Sequence, residues 1–242
     1  MIEKIAELII NHPTVALTGA GVSTESGIPD FRSKNGLYSK YGKEIFDLDY
    51  FYKNPEKFYK FAKETFLPMY SASPNLTHKL LSILEEKGFL LGVITQNIDN
   101  LHSKAGTKKV VELHGNATKF YCTKCGIKYS INEVVKSYYC ECGGLIRPNI
   151  IFFGENLPAN AWEMALSLLE KAEIMLVIGS SLSVYPAAYL PILFKRKYGK
   201  LIIVNNDDTK LDDLADFKIN VQASIFSHNL LNFLKIKGVF QN

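Results

Sequence analysis

Long apolar runs are missing from this 242-residue chain. Its unbroken hydrophobic stretches, such as Ile174–Ile178, fall far short of the ~20 residues that span a bilayer, so no membrane span is expected. Met1–Asn11 alternates charge with Ile and Leu and lacks a small-residue cleavage site. No secretory signal is therefore expected, and the cytoplasm is the expected compartment. Cysteine is scarce, at four residues, and in a reducing compartment these are poor disulfide candidates. Charge of one sign is also scarce. The formal net charge is +4, arginine occurs only at 32, 147 and 196, and no specific nucleic-acid partner is expected. The one basic run, Lys195-Arg196-Lys197 with Lys200, reads as a solvated helix face. Internal repeats and low-complexity tracts are absent. What remains is 47% hydrophobic, enough for one sizeable core or a core with an inserted module.

The dominant rhythm is strand then helix. Short apolar, partly β-branched runs occur at Val15–Thr18, Leu90–Thr95, Lys109–Glu112, Ile174–Ile178 and Leu201–Val204. Amphipathic helical stretches lie at Ile2–Ile10, Leu76–Lys87 (with Gly88 as its C-cap), Ala159–Ala172 and Ser224–Lys235. Alternation of this kind predicts an α/β fold, a doubly wound and mostly parallel Rossmann-like sheet. Ligands of such sheets bind beyond the carboxyl ends of the strands. Two stretches break the rhythm. Residues 34–75 are dense in Tyr and Phe and read as a helical aromatic insert, whereas 118–148 carry all four cysteines and little helical periodicity. Both read as insertions that form a small second lobe on a single catalytic unit spanning 1–242.

Polar residues cluster where the strands end. Gly19-Ala20-Gly21 follows the first strand, and glycines there let backbone N–H groups approach a pyrophosphate at a helix N-terminus. The next glycine is Gly27, so the dehydrogenase spacing G-x-G-x-x-G is not met. Ser23, Thr24, Asp30 and Arg32 then offer hydrogen bonds and charge beside the flat ring of Phe31. Thr95-Gln96-Asn97-Ile98-Asp99 and His114-Gly115-Asn116 stand past later strands, as does Gly179-Ser180-Ser181.

Taken with Arg147–Glu155 and the four cysteines, these motifs resemble the sirtuin family of NAD-dependent protein-lysine deacylases. They fall in family order over residues 14–206. The Phe152-Phe153-Gly154-Glu155 form resembles the compact bacterial and archaeal branch. The resemblance implies NAD as co-substrate, held at Gly19, Ala20, Gly21, Thr24, Asp30, Phe31 and Arg32. It implies that Gln96 and Asn97 meet the nicotinamide-side ribose, and that Ile98 and Asp99 grip the carboxamide, an aspartate suiting an amide because it accepts from NH2. Gly179, Ser180, Ser181, Asn205 and Asn206 would contact the second ribose and phosphates, with Gln222 and Ala223 near the adenine.

His114 is the expected base, since imidazole titrates near working pH and can take a proton from a ribose hydroxyl; Asn97 and Asp99 complete the catalytic set. His78 and His102 read as structural. An extended acylated-lysine peptide would lie between Ile151, Phe153, Gly154 and Glu155 on one side and Val184 on the other, by strand addition. Ile98 and the aromatic insert would line the acyl pocket. Family members that remove dicarboxylic acyl groups carry a tyrosine and, three residues on, an arginine. The matching positions here are Tyr59 and Ala62, which favours acetyl or longer apolar chains. Cys122-x-x-Cys125 and Cys140-x-Cys142 suit one structural Zn2+ with no open position, the one-residue spacer departing from the family's commoner two.

The expected reaction is thus transfer of an acyl group from protein lysine to ADP-ribose with release of nicotinamide. Protein mono-ADP-ribosylation is the nearest enzymatic alternative. A zinc-ribbon module that merely senses a nucleotide is the alternative from another class. A hydride-transferring dehydrogenase is disfavoured by the glycine pattern.

Overall fold

The computed structural model describes residues 1–197 and 199–239. Its strands are β1 (Thr14–Thr18), β2 (Leu90–Thr95), β3 (Val110–Glu112), β4 (Gly115–Cys122), β5 (Lys128–Tyr129), β6 (Ile146–Ile150), β7 (Ile174–Ile178), β8 (Lys200–Asn205) and β9 (Phe217–Asn220). Its helices are α1 (Ile2–Asn11), α2 (Leu37–Tyr41), α3 (Leu48–Lys53), α4 (Pro55–Ser71), α5 (Leu76–Glu86), α6 (Leu101–Lys104), α7 (Ile131–Val134), α8 (Ala159–Lys171), α9 (Tyr189–Lys195) and α10 (Ala223–Ile236). Every strand and helix expected from the pattern is present to within one residue at each end. α6, α7, α9, β9 and the three strands β4–β6 are additional. β9 is a short edge strand with every second residue exposed, too brief for alternation to declare itself.

Six strands form one parallel sheet in the order β3-β2-β1-β7-β8-β9. Successive side chains on a strand point to opposite faces, and the two cores divide accordingly. Ala16, Leu176 and Ile202 pack with Ile5, Leu80 and Leu230 of α1, α5 and α10. Val15, Val177 and Ile203 pack with Ala165, Leu190 and Phe194 of α8 and α9. All five residues of β1 and of β7 are buried, which explains why these strands read as unbroken apolar runs. The strand order reverses between β1 and β7. That reversal opens a crevice at their carboxyl ends.

The second lobe covers this crevice. Helices α2–α4 supply Phe51, Phe58, Phe61 and Phe66, which share one core with Phe120, Ile146 and Phe152 from the antiparallel sheet β5-β4-β6 and its exit. The 118–148 segment falls inside that sheet and its connections, and the aromatic wealth of 34–75 is this shared core.

One local expectation is not met. No helix N-terminus follows Gly19-Ala20-Gly21; two 3-10 turns do, Ala20–Val22 and Thr24–Ser26. Gly27 then takes φ +82°, and Pro29, two residues further, cannot donate to a helical ladder. Any anion here meets turn N–H groups rather than the dipole of a helix.

Candidate active site

A cleft of about 660 Å³ runs between the sheet's carboxyl edge and the second lobe, within the usual range for a small-molecule site. Its floor is made where β1 and β7 end. A Cβ on Gly21 would lie 2.8 Å from Gly179 Cα, and one on Gly179, itself at φ +64°, would lie 2.6 Å from Val22 N. Only glycines let the two backbones come this close, joined by a Gly21 N–H to Gly179 carbonyl bond of 2.9 Å. Gly19, Ala20, Thr24, Ser180 and Ser181 line the same end, with Asn205, Asn206, Gln222 and Ala223 beside them. The Thr24 hydroxyl is committed to Gly21 O at 3.1 Å. Asp30 accepts from the N–H groups of Arg32 and Ser33 at 2.9 and 2.8 Å, so it shapes the loop that carries Phe31 and Arg32 into the cleft. Phe31 rests edge-on against Phe46, 5.4 Å between centroids.

Gln96, Asn97, Ile98 and His114 form the middle of the wall. Gln96 Nε2 donates to Ser180 Oγ at 2.8 Å, tying the end of β2 to that of β7. His114 Nδ1 lies 2.9 Å from the Gln96 carbonyl. A carbonyl only accepts, so Nδ1 carries the proton and Nε2 the lone pair. Burial holds the imidazole below its ordinary value, partly opposed by the Gln96 carbonyl; the ring is neutral at pH 7. The His114 carbonyl takes the Ile151 N–H at 3.0 Å, and Gly115 turns at φ +76° where a Cβ would strike Asn149 O.

Asp99 stands apart. It is 3% exposed and lies behind the wall rather than in it. Its Oδ2 accepts from Ser23 Oγ at 2.6 Å and its Oδ1 from Leu101 N at 2.8 Å. Asn97 Nδ2 donates to the same Ser23 hydroxyl at 3.0 Å.

Ile151, Phe153, Gly154 and Glu155, which follow β6, line the cleft together with Val184. The Glu155 side chain turns inward, to Arg147. Tyr59 and Ala62 are not part of the wall. Ala62 is fully buried, while the Tyr59 hydroxyl donates to the Ile146 carbonyl and its ring stacks on Tyr138. Of the aromatic insert only Tyr38 and Phe46 reach the cleft, where they stand near Phe31; Phe152, Phe153 and Tyr185 line it from other segments.

At the far end of the small lobe the four cysteines converge, all unpaired, with their sulfurs within 4.8 Å of one another. Cys122 and Cys142 sulfurs are 3.5 Å apart and Cys125 and Cys140 sulfurs 3.6 Å. A tetrahedral zinc with Zn–S near 2.3 Å needs edges of about 3.8 Å. The donor set therefore fits one closed zinc site, and the one-residue spacer still delivers both sulfurs. Tyr129 adds an O–H to Cys140 Sγ at 3.0 Å.

The family model described as "Sir2 family" matches residues 19–186. The chain belongs to the Sir2 family. The NAD-dependent protein deacetylase of Thermotoga maritima is 53% identical over 225 residues, 90% of this chain and 92% of that protein. The protein of the same description from Sulfolobus acidocaldarius is 41% identical over 96% and 95%. Among solved structures, a Sir2 complex with a deacetylated p53 peptide and 3′-O-acetyl-ADP-ribose superposes at TM-score 0.93 and 50% identity, covering 96% of this chain and 98% of that one. A Sir2 complex with a p53 peptide and NAD+ gives 0.90 and 48%, covering 99% and 100%.

Several wall residues escape a reading of the sequence. Glu25, Ser33, Leu157, Asp207 and Ser224 enter the cleft, as do Tyr185 and Pro186 next to Val184. Asp207 lies two residues past the end of β8, where strand-end polar residues meet ligands, but the two asparagines before it carry the same signal. Tyr38 and Phe46 carry no signal that separates them from the other aromatics of the insert.

Proposed function

We infer that the chain is an NAD-dependent protein-lysine deacylase, moving an acyl group from lysine to ADP-ribose with release of nicotinamide and O-acyl-ADP-ribose. NAD supplies the ribose carbon that accepts the acyl oxygen and the leaving nicotinamide. The observation that carries this reading is His114, a neutral imidazole with its lone pair on Nε2, set in the wall of a cleft otherwise built from strand-end polar groups. Nε2 takes the proton of a ribose hydroxyl and so raises its nucleophilicity towards the acyl carbon. Gln96 and Asn97 hold that ribose, Phe31 covers the reacting face and keeps water out, and the interlocked glycine turns with Arg32 take the pyrophosphate. Asn205, Asn206, Gln222 and Ala223 receive the adenosine half. A carboxamide seated beside Ile98 meets Asn97, whose amide the Asp99 carboxylate holds in place through the Ser23 hydroxyl.

The peptide pairs as an added strand between the Ile151–Glu155 segment and Val184. The acyl chain meets Phe31, Phe46 and Ile98, an apolar surround that favours acetyl and longer apolar chains. A buried dicarboxylic acyl group without a paired cation is costly. Product and acetyl-peptide complexes of Sir2 relatives support deacylation over mono-ADP-ribosylation. Among the described residues no helix is long and apolar enough to cross a membrane, and the unpaired cysteines suit a cytoplasmic setting. The test is mass spectrometry of nicotinamide and O-acyl-ADP-ribose formed from NAD with acetyl-, succinyl- and myristoyl-lysine peptides. Both products form with acetyl-peptide. NAD consumed with ADP-ribose attached to protein would overturn the assignment.

A further inference from the structure

His102 sits in α6, 2% exposed, directly behind the cleft wall. A buried imidazole kept for stability normally has both ring nitrogens paired. Here Nδ1 has no partner among the described residues. Nε2 has one, the Thr18 hydroxyl at 2.9 Å. That hydroxyl lies 2.9 Å from the Thr95 hydroxyl, which in turn accepts the Asn97 N–H at 3.0 Å.

Thr18 and Thr95 are register partners at the carboxyl ends of β1 and β2, and their carbonyls hold the next turns as well. Thr18 O takes the Gln96 N–H at 3.0 Å and Thr95 O takes the Leu113 N–H at 3.0 Å. The threonine pair therefore fixes the backbone of Gln96 and Asn97 and of the residue before His114. The second hold on Asn97, from Ser23 to its amide, lies under His78, whose ring packs 4.8 Å from that of His102.

We propose that His102 is a positioning residue for the nucleotide chemistry, locking the Thr18 and Thr95 hydroxyls so that Gln96 and Asn97 keep the register the ribose requires. An unpartnered buried polar atom is a cost that a leucine would remove. The single bond the ring does make leads, through two hydroxyls, to the cleft wall. With Nδ1 unpartnered, the ring adopts whichever tautomer the hydroxyl chain needs. This rests on the cleft being the site for NAD and acyl-lysine.

The experiment compares wild type, His102→Leu, His102→Gln and Thr18→Val, the last alone and combined with His102→Leu. It measures Tm, KM for NAD and for acetyl-peptide, kcat, and exchange of labelled nicotinamide into NAD. His102→Leu keeps its Tm and its peptide KM, while kcat/KM for NAD and nicotinamide exchange fall roughly tenfold or more, the scale of a small displacement at a reacting centre. Glutamine, whose amide can reach the Thr18 hydroxyl, restores part of the loss. Thr18→Val adds nothing to His102→Leu, as expected of links in one chain. Wild-type NAD kinetics in His102→Leu overturn the proposal, and so does a loss shared equally by both substrates that tracks a lowered Tm. If wild type itself fails to release nicotinamide from NAD, the functional reading falls and this inference with it.

Discussion

Arg147 and Glu155 form a two-bonded ion pair, Nη1 to Oε1 at 3.0 Å and Nη2 to Oε2 at 2.8 Å, at the segment proposed to receive the peptide. Arg147 is 7% exposed; its Nη2 also donates to the Ile150 carbonyl at 3.0 Å, and Glu155 Oε2 accepts the Phe152 N–H at 2.8 Å. Burial works against both charges. The pairing nevertheless leaves the guanidinium above its usual value and, with the Phe152 N–H, the carboxyl below its own. Removing one partner strands the other: Glu155→Ala costs about 3 kcal/mol of stability. It also raises peptide KM more than NAD KM. The Arg147→Ala, Glu155→Ala double variant loses less than the sum of the singles in urea titrations. Additive losses would remove the pair from the account.

Acid sensitivity follows from the two histidines behind the wall. Burial pushes His78 down to about 4, partly offset by Asp99, and burial together with His78 pushes His102 down to about 3. In the unfolded chain both titrate near 6.5. Below that pH the unfolded state binds protons that the folded state refuses, so stability is full above about pH 6.5 and drains as pH falls towards 4. The two rings together give a slope of about 2–3 kcal/mol per pH unit near pH 5. Urea unfolding at pH 5, 6 and 7 measures it, and His102→Leu removes about half. An unchanged slope in that variant would show that the ring is not buried neutral.

Metal removal should strike the small lobe first. Zinc analysis gives one ion per chain, and chelation under mild denaturant exposes the β4–β6 core while the six-stranded sheet persists, seen as lost protection of Phe120 and Ile146 amides in hydrogen exchange. Cys140→Ser reproduces this without chelator. A folded, zinc-free protein with unaltered protection would contradict a structural role for the metal.

What the sequence made legible was the part of the fold dictated by local pattern. The continuous apolar runs at Val15–Thr18 and Ile174–Ile178 announce central parallel strands, and the glycines at 19, 21 and 179 announce a close backbone approach. Legibility stops where tertiary packing decides. Nothing local shows that the chain after Gly21 coils into 3-10 turns, that the Glu155 side chain turns inward to Arg147, or that Asp99 hides behind Ser23. Tyr59 matches the family position for an acyl-pocket tyrosine, yet here its ring is stacked on Tyr138 in the lobe's core. The β5-β4-β6 sheet escaped because its register is irregular between Asn116 and Phe120, which breaks the alternation a reader looks for.

The pH dependence of turnover reports on His114. In the proposed mechanism its neutral form is the base, and burial lowers its pKa, so the acid limb of kcat/KM is predicted to lie below the 6.5 of a free imidazole. A limb above 6.5 would point to another group or to a charged partner beside the ring.

The most direct test replaces His114. Release of nicotinamide and formation of O-acetyl-ADP-ribose from NAD and an acetyl-lysine peptide are compared between wild type and His114→Ala, with Tm and bound zinc as controls. The account predicts unchanged folding and metal content with deacylation reduced about 10²- to 10⁴-fold, the worth of a positioned base. Near-normal turnover in a folded, zinc-loaded His114→Ala protein would contradict it.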